Sequence, residues 1–438
     1  MIRCLLFLSL TLLSFSSRAT VWDDTNQWSP AWELQYQNWV RSNWQSDVFA
    51  RSMLPTGRSN PYYGVHPDCA DTVYSMRMIF AYENSLPFVV LDPTGSGRKI
   101  TNRLKRFDKI RDQDQRFHHF LEFMYDALST ASLPNDTFPV AITPEYVHAG
   151  ALMMTVKKNH HSWSVKDILP IGVPWLIFAS TVSSTTTLQL QERKSWPNPF
   201  WVFEGDQSPA GNGGFRNFRP IEYIGAAVWE VPGYNEEQYR IPLGKWQKFA
   251  QGRLASKQEA PEQLLRRLLD TACVDARSRV GAVNDGIYYL QAHPSQCMDA
   301  ATYDNFSTPN RDRRLFDDLA ALRNAYRGVL SSGKGSQVPA DLIRQLEVIF
   351  PAALRTASFE TQMMQASPIG PLSVCTIEYA PGHSADLAEI KRRSFAGFLS
   401  SNPNEEIEYR WGEYRGHSER ARACQSWDLY TPDLRTAN

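Results

Sequence analysis

Two short alternating runs, 163–168 and 175–180, flank Pro170-Ile171-Gly172-Val173-Pro174 and restrict this chain more than any other feature. Alternation sends every second side chain to one face of a strand, and a Pro/Gly connection of this length turns the chain back, so the segment predicts an antiparallel hairpin. A third apolar run, 151–156, adds a strand. Ahead of these, Val73, Met76, Ile79 and Phe80 recur at helical spacing, with Asp68 as N-cap, Asp71 at the third helical position and Pro87 as the stop. Residues 29–50 and 117–128 read as further helices. Helix first and antiparallel sheet afterwards is an α+β layout.

At 438 residues the chain exceeds one typical domain. Helical periodicity takes over at 261–277, 313–330 and 340–350, with a strand expected at 372–379 and a helix at 385–399. The expected division is a leader at 1–19, a helix-plus-sheet domain at 20–235 and a mostly helical C-terminal domain at 236–438. Lys plus Arg number 46 and Asp plus Glu number 46, so the net charge is zero and the basic stripe of a nucleic-acid binder is not expected. Zinc-type cysteine pairs, a phosphate loop and a GxSxG motif are missing from the sequence, so neither metal nor cofactor is expected. Trp22, Trp28, Trp32, Trp39 and Trp44 crowd the early chain. Such clusters line sugar or peptide grooves in some proteins, but anchor cores in more, and the core reading is preferred.

Met1-Ile2-Arg3, the apolar stretch 4–15 and Ser17-Arg18-Ala19 have the form of a secretion signal. The stretch is short for a permanent span, and no later run reaches the roughly 20 apolar residues one needs. The expectation is an exported protein, periplasmic or secreted, with no stable membrane span. Of six cysteines, Cys4 leaves with the leader, and an odd number, Cys69, Cys273, Cys297, Cys375 and Cys424, enters an oxidising compartment. Proximity in sequence suggests Cys273–Cys297 and Cys375–Cys424, leaving Cys69 free; other connectivities stay open. A thiolate at a helix N-terminus is stabilised by the helix dipole, which makes Cys69 a candidate nucleophile, against the alternative of a small buried thiol.

A thiol nucleophile needs a base, and His161 stands at the start of a core strand. His160 alternates with it and would face the other way. His148 falls on the loop into the sheet, and His118 and His119 on a helix surface. His66, three residues before Cys69, is a candidate substrate-binding residue at a cleft rim. The adjacent His160 and His161 lack the carboxylate spacing of a metal site. In Gly211-Asn212-Gly213-Gly214-Phe215-Arg216-Asn217-Phe218-Arg219-Pro220, Arg216 is a candidate for binding a substrate carboxylate, although an ordered domain-closing loop is the commoner meaning of such a stretch.

The segments Asp68-Cys69-Ala70-Asp71-Thr72-Val73-Tyr74 and Tyr82-Glu83-Asn84-Ser85-Leu86-Pro87-Phe88, then Gly150-Ala151-Leu152-Met153, His161-Ser162-Trp163-Ser164 and Gly172-Val173-Pro174-Trp175-Leu176-Ile177-Phe178, resemble the NlpC-type papain-like cysteine peptidase superfamily of exported bacterial cell-wall enzymes. The resemblance covers residues 60 to 220. It implies a papain-like fold in which Cys69 and His161 cleave amide bonds in peptidoglycan peptides or related peptides; an amine acceptor in place of water would make a transpeptidase. The family's third, orienting residue falls at Phe178, which cannot serve. Ser180, Thr181, Glu192 and Asp206 are the candidates to replace it, with Asp206 preferred because Glu204-Gly205-Asp206 follows an aromatic run. That departure keeps a second class open: a noncatalytic cell-envelope binding or scaffold protein on the same fold, with a protein partner for its C-terminal domain.

Overall fold

Ser29 opens the first helix, α1 (Pro30–Asn43), by accepting a hydrogen bond from the Trp32 amide. The computed structural model describes residues 20–155, 161–179, 188–197, 212–351, 357–365 and 373–434. Residues 1–19, the expected leader, and His160, Ser180, Thr181 and Asp206 lie outside the described residues. α1 ends where Trp44 turns extended, short of the expected residue 50. Trp22 and Trp44 are fully buried, and Trp28, Trp32 and Trp39 pack against the same core, so the aromatic cluster is structural.

The second helix, α2 (Cys69–Glu83), is capped as the sequence predicts. Asp68 accepts from the amides of Ala70 (2.8 Å) and Asp71 (3.0 Å), and Asp71 accepts from the Asp68 amide at 2.9 Å. Nearly every residue of α2 is buried, its polar Asp71, Thr72, Ser75 and Arg77 included, so the helix has apolar partners on more than one side. A small antiparallel pair, β1 (Val89–Leu91) and β2 (Lys99–Thr101), precedes α3 (Gln113–Ala127).

The main sheet holds six antiparallel strands, β3 (Thr137–Pro139), β4 (Leu152–Thr155), β5 (His161–Ile168), β6 (Pro174–Phe178), β7 (Gln191–Arg193) and β8 (Gly214–Phe218), in the spatial order β3-β8-β4-β5-β6-β7. The expected hairpin is β5–β6. Gly172 in its turn has φ +77°, and a Cβ there would meet the backbone at Gln251 and Ala255, so the turn needs glycine both for its conformation and for its close approach to a helix. One expectation is corrected: the glycine-rich stretch read as a loop supplies a central strand, β8, because its backbone pairs with β4 on one side and β3 on the other.

Each face of the sheet has its own cover. Leu152, Met154 and Ile177 join the core under α1 and α2. Met153, Trp163, Val165, Leu176, Phe178 and Phe215 point the other way, toward Trp246, Ala250 and Leu254 of α4 (Leu243–Leu254). Residues 243–254, beyond the expected boundary at 235, thus pack on the sheet.

From Pro261 on the chain is mostly helical, with α5 (Pro261–Ala292), α6 (Pro309–Ser331), α7 (Ala340–Ile349) and, after β9 (Ile377–Ala380) and β10 (His383–Ala385), α8 (Leu387–Phe395), around a third apolar core. Arg193 of β7 joins it to the sheet by ion pairs with Asp318 (3.1 Å) and Asp275 (3.7 Å). Cys273 is paired with Cys375 and Cys297 with Cys424, at Cα separations of 6.0 and 5.4 Å. The local pairing is thus overturned. α5 runs unbroken past Cys273, and the rise from 273 to 292 alone is about 28 Å, which carries Cys297 out of its reach.

Candidate functional site

Cys69 is the first residue of α2, and among the described residues it is the free cysteine. Its Sγ lies 3.2 Å from Thr130 Oγ1, and its carbonyl accepts from Ser162 Oγ at 2.9 Å. The residue is only 2 % exposed. Burial, and next the charge of Asp68, push the thiol up to about 11, outweighing the hydrogen bonds from Thr130 and Ser162 that favour the thiolate. The expected dipole activation does not prevail. A helix end stabilises an anion by only about 0.3–1 kcal/mol, less than one pKa unit. Two of its amides are also already given to Asp68.

His161 opens β5, as its position before the alternating run predicts. Its ring does not face Cys69. Side chains alternate along β5: Ser162 turns toward α2, whereas His161 packs edge-on against Trp163 at 4.4 Å and Phe178 at 5.8 Å on the opposite face. The proposed thiol–imidazole pair is therefore divided by the strand that was expected to unite it. His161 is 7 % exposed, and its Nε2 is buried without a hydrogen-bond partner among the described residues. Burial first, then the positive charges of Arg314, Arg311 and Arg193, lower its pKa to about 3, so the imidazole is neutral at pH 7.

The remaining candidates are placed as follows. Arg216 is fully buried in β8, donating to Thr137 Oγ1 (2.8 Å), the Thr137 carbonyl (3.1 Å) and the Asn212 carbonyl (2.9 Å). It ties β8 to β3, so the expectation of a substrate-binding arginine is corrected to a structural one. His66 is half-buried in the loop leading to Asp68, with Nδ1 buried and unpartnered among the described residues. His148 lies within 3.3 Å of Gln37 on α1, and Glu192 accepts from Trp175 Nε1 at 2.7 Å. His118 contacts the Pro61 carbonyl, and His119 contacts Glu122. Phe178 sits in the second-face core, as unfit to orient a base as its side chain implies.

Sequence reasoning missed the hydroxyls of Thr130 and Ser162 that surround Cys69. Ser162 was readable in principle, because alternation gives His161 and its neighbour opposite faces. It also missed the arginines gathered near His161, announced only by the run Arg311-Asp312-Arg313-Arg314 at the start of α6. No protein-family model, curated protein or solved structure matches the chain.

Proposed function

We propose that this chain is an exported, noncatalytic binding or scaffold protein of the cell envelope, built on a papain-like helix-and-sheet unit with a mostly helical domain behind it. One observation carries the reading: Cys69 and His161 lie on opposite faces of β5, the thiol protonated and the imidazole neutral at pH 7. Acyl transfer by a thiol requires the two within hydrogen-bond reach. Export is supported by the leader and by two cysteine pairs that need an oxidising compartment. Among the described residues no helix is long and apolar enough to cross a membrane.

A second reading, a peptidoglycan amidase or transpeptidase, keeps one support: the unpaired Cys69 occupies the first turn of a long helix packed on an antiparallel sheet. It requires a base other than His161.

Purified sacculi and peptide fragments, incubated with the mature protein and with Cys69→Ala, separate the two. Equal binding by both forms without new products by mass spectrometry is the expected result. Cys69-dependent cleavage or cross-linking establishes the enzyme instead, and failure of either form to bind sacculi removes the envelope-binding reading.

A further inference from the structure

We propose that a cavity at the C-terminal end of α2 binds an acidic saccharide of about disaccharide size. The cavity has a volume of about 500 Å³ and is walled by Trp39, Arg51, Arg58, Tyr62, Tyr82 and Glu83. That volume lies within the usual range for small-ligand sites. Glu83 closes the helix that Cys69 begins, so the cavity stands about 21 Å along the α2 axis from the thiol and is independent of the reading above.

The polar groups of the wall define the ligand. The Glu83 carboxylate accepts from Tyr62 Oη and from Trp39 Nε1, each at 2.9 Å, and burial raises its pKa. With both oxygens engaged and its charge disfavoured, it is a poor counterpart for a ligand ammonium. The open capacity is cationic. Arg51 holds Asp47 through Nη2, while its Nε is buried with no partner among the described residues. Arg58 is exposed on the hairpin closed by the Met53–Ser59 bridge, and its charge acts on Tyr62, Tyr82 and Glu83. Guanidinium groups favour a carboxylate. Tyr62 and Tyr82 are buried, Tyr82 stacked on Phe117, so the half-buried Trp39 is the aromatic that meets the apolar face of a sugar ring, and the neutral amides of Asn43 and Gln113 suit its hydroxyls. Ser85, also on the wall, holds φ +49°, a backbone conformation uncommon outside glycine.

Calorimetric titration of the mature protein with digalacturonate tests the assignment, with cellobiose as the neutral disaccharide and triglycine as a peptide carboxylate. Digalacturonate is expected to bind, cellobiose at least about tenfold more weakly, and Arg58→Gln to lose about tenfold in affinity, the worth of one charge-assisted hydrogen bond. Glu83→Gln, which keeps the shape, one acceptor for Trp39 and an NH2 that the Tyr62 hydroxyl can accept, is expected to bind within about threefold of the parent, and Cys69→Ala equally well. Circular dichroism of each variant establishes that it is folded. The assignment is overturned by no digalacturonate binding up to about 10 mM, by an unchanged affinity in Arg58→Gln, or by tighter binding of triglycine than of digalacturonate.

Discussion

Ser162 donates its hydroxyl to the Cys69 carbonyl across 2.9 Å, and this contact decides which face of β5 looks at the thiol. His161, one residue earlier, must then look away. The separation has consequences for both groups that can be measured.

The Cys69 thiol should behave as an unactivated one. Its alkylation rate in the folded protein is expected to climb through pH 10 toward a midpoint near 11, whereas in denaturant the midpoint returns to about 9. Because the folded state holds the proton more tightly, the associated stability is complete below pH 9 and is lost as the pH rises toward 11. Stopped-flow alkylation across pH reads this directly, and a rate plateau near neutrality would falsify it.

His161 makes the opposite contribution at acid pH. Its pKa falls from the ordinary 6.5 to about 3, so on acidification the unfolded chain takes up a proton that the folded protein refuses. The neutral ring therefore favours folding above pH 6.5, and that advantage is lost as the pH drops toward 3. Urea unfolding of the parent and of His161→Phe should show the parent losing stability relative to the variant by up to about 1.4 kcal/mol per pH unit within that window. A parent-to-variant difference that stays flat from pH 7 to 4 contradicts the buried, arginine-flanked placement.

Nonreducing peptide mapping should recover Cys273 joined to Cys375 and Cys297 joined to Cys424, with Cys69 recovered as an unbridged thiol. The pairs close separations of 102 and 127 residues, so replacing both members of either pair by alanine is expected to lower unfolding free energy by about 4 kcal/mol. Recovery of Cys273–Cys297 instead would restore the local pairing and place the two helical-region segments differently.

What was legible in the sequence was local. The Asp68–Asp71 capping box, the buried helix over Val73 to Phe80 and the β5–β6 hairpin each follow from residues within a turn or two of one another, so propensity and spacing suffice. β8 was not legible, because Gly213-Gly214 reads as a loop until β3 and β4 pair with it and Arg216 bonds across to Thr137. The cysteine partners were hidden for a similar reason: the length of α5 separates neighbours in sequence, and the return of the chain after α7 brings distant ones together.

The sequence by itself determined that Cys69 begins a helix, that His161 begins a strand and that neighbouring side chains on that strand face opposite ways. Which of those faces receives α2 was decided only by the tertiary structure. Docking buries α2 from Cys69 to Tyr82 in a core shared with Leu152, Met154 and Ile177, a far larger apolar gain than one thiol–imidazole contact could supply, and the Cys69 carbonyl accepts the hydroxyl of Ser162 that the same docking buries.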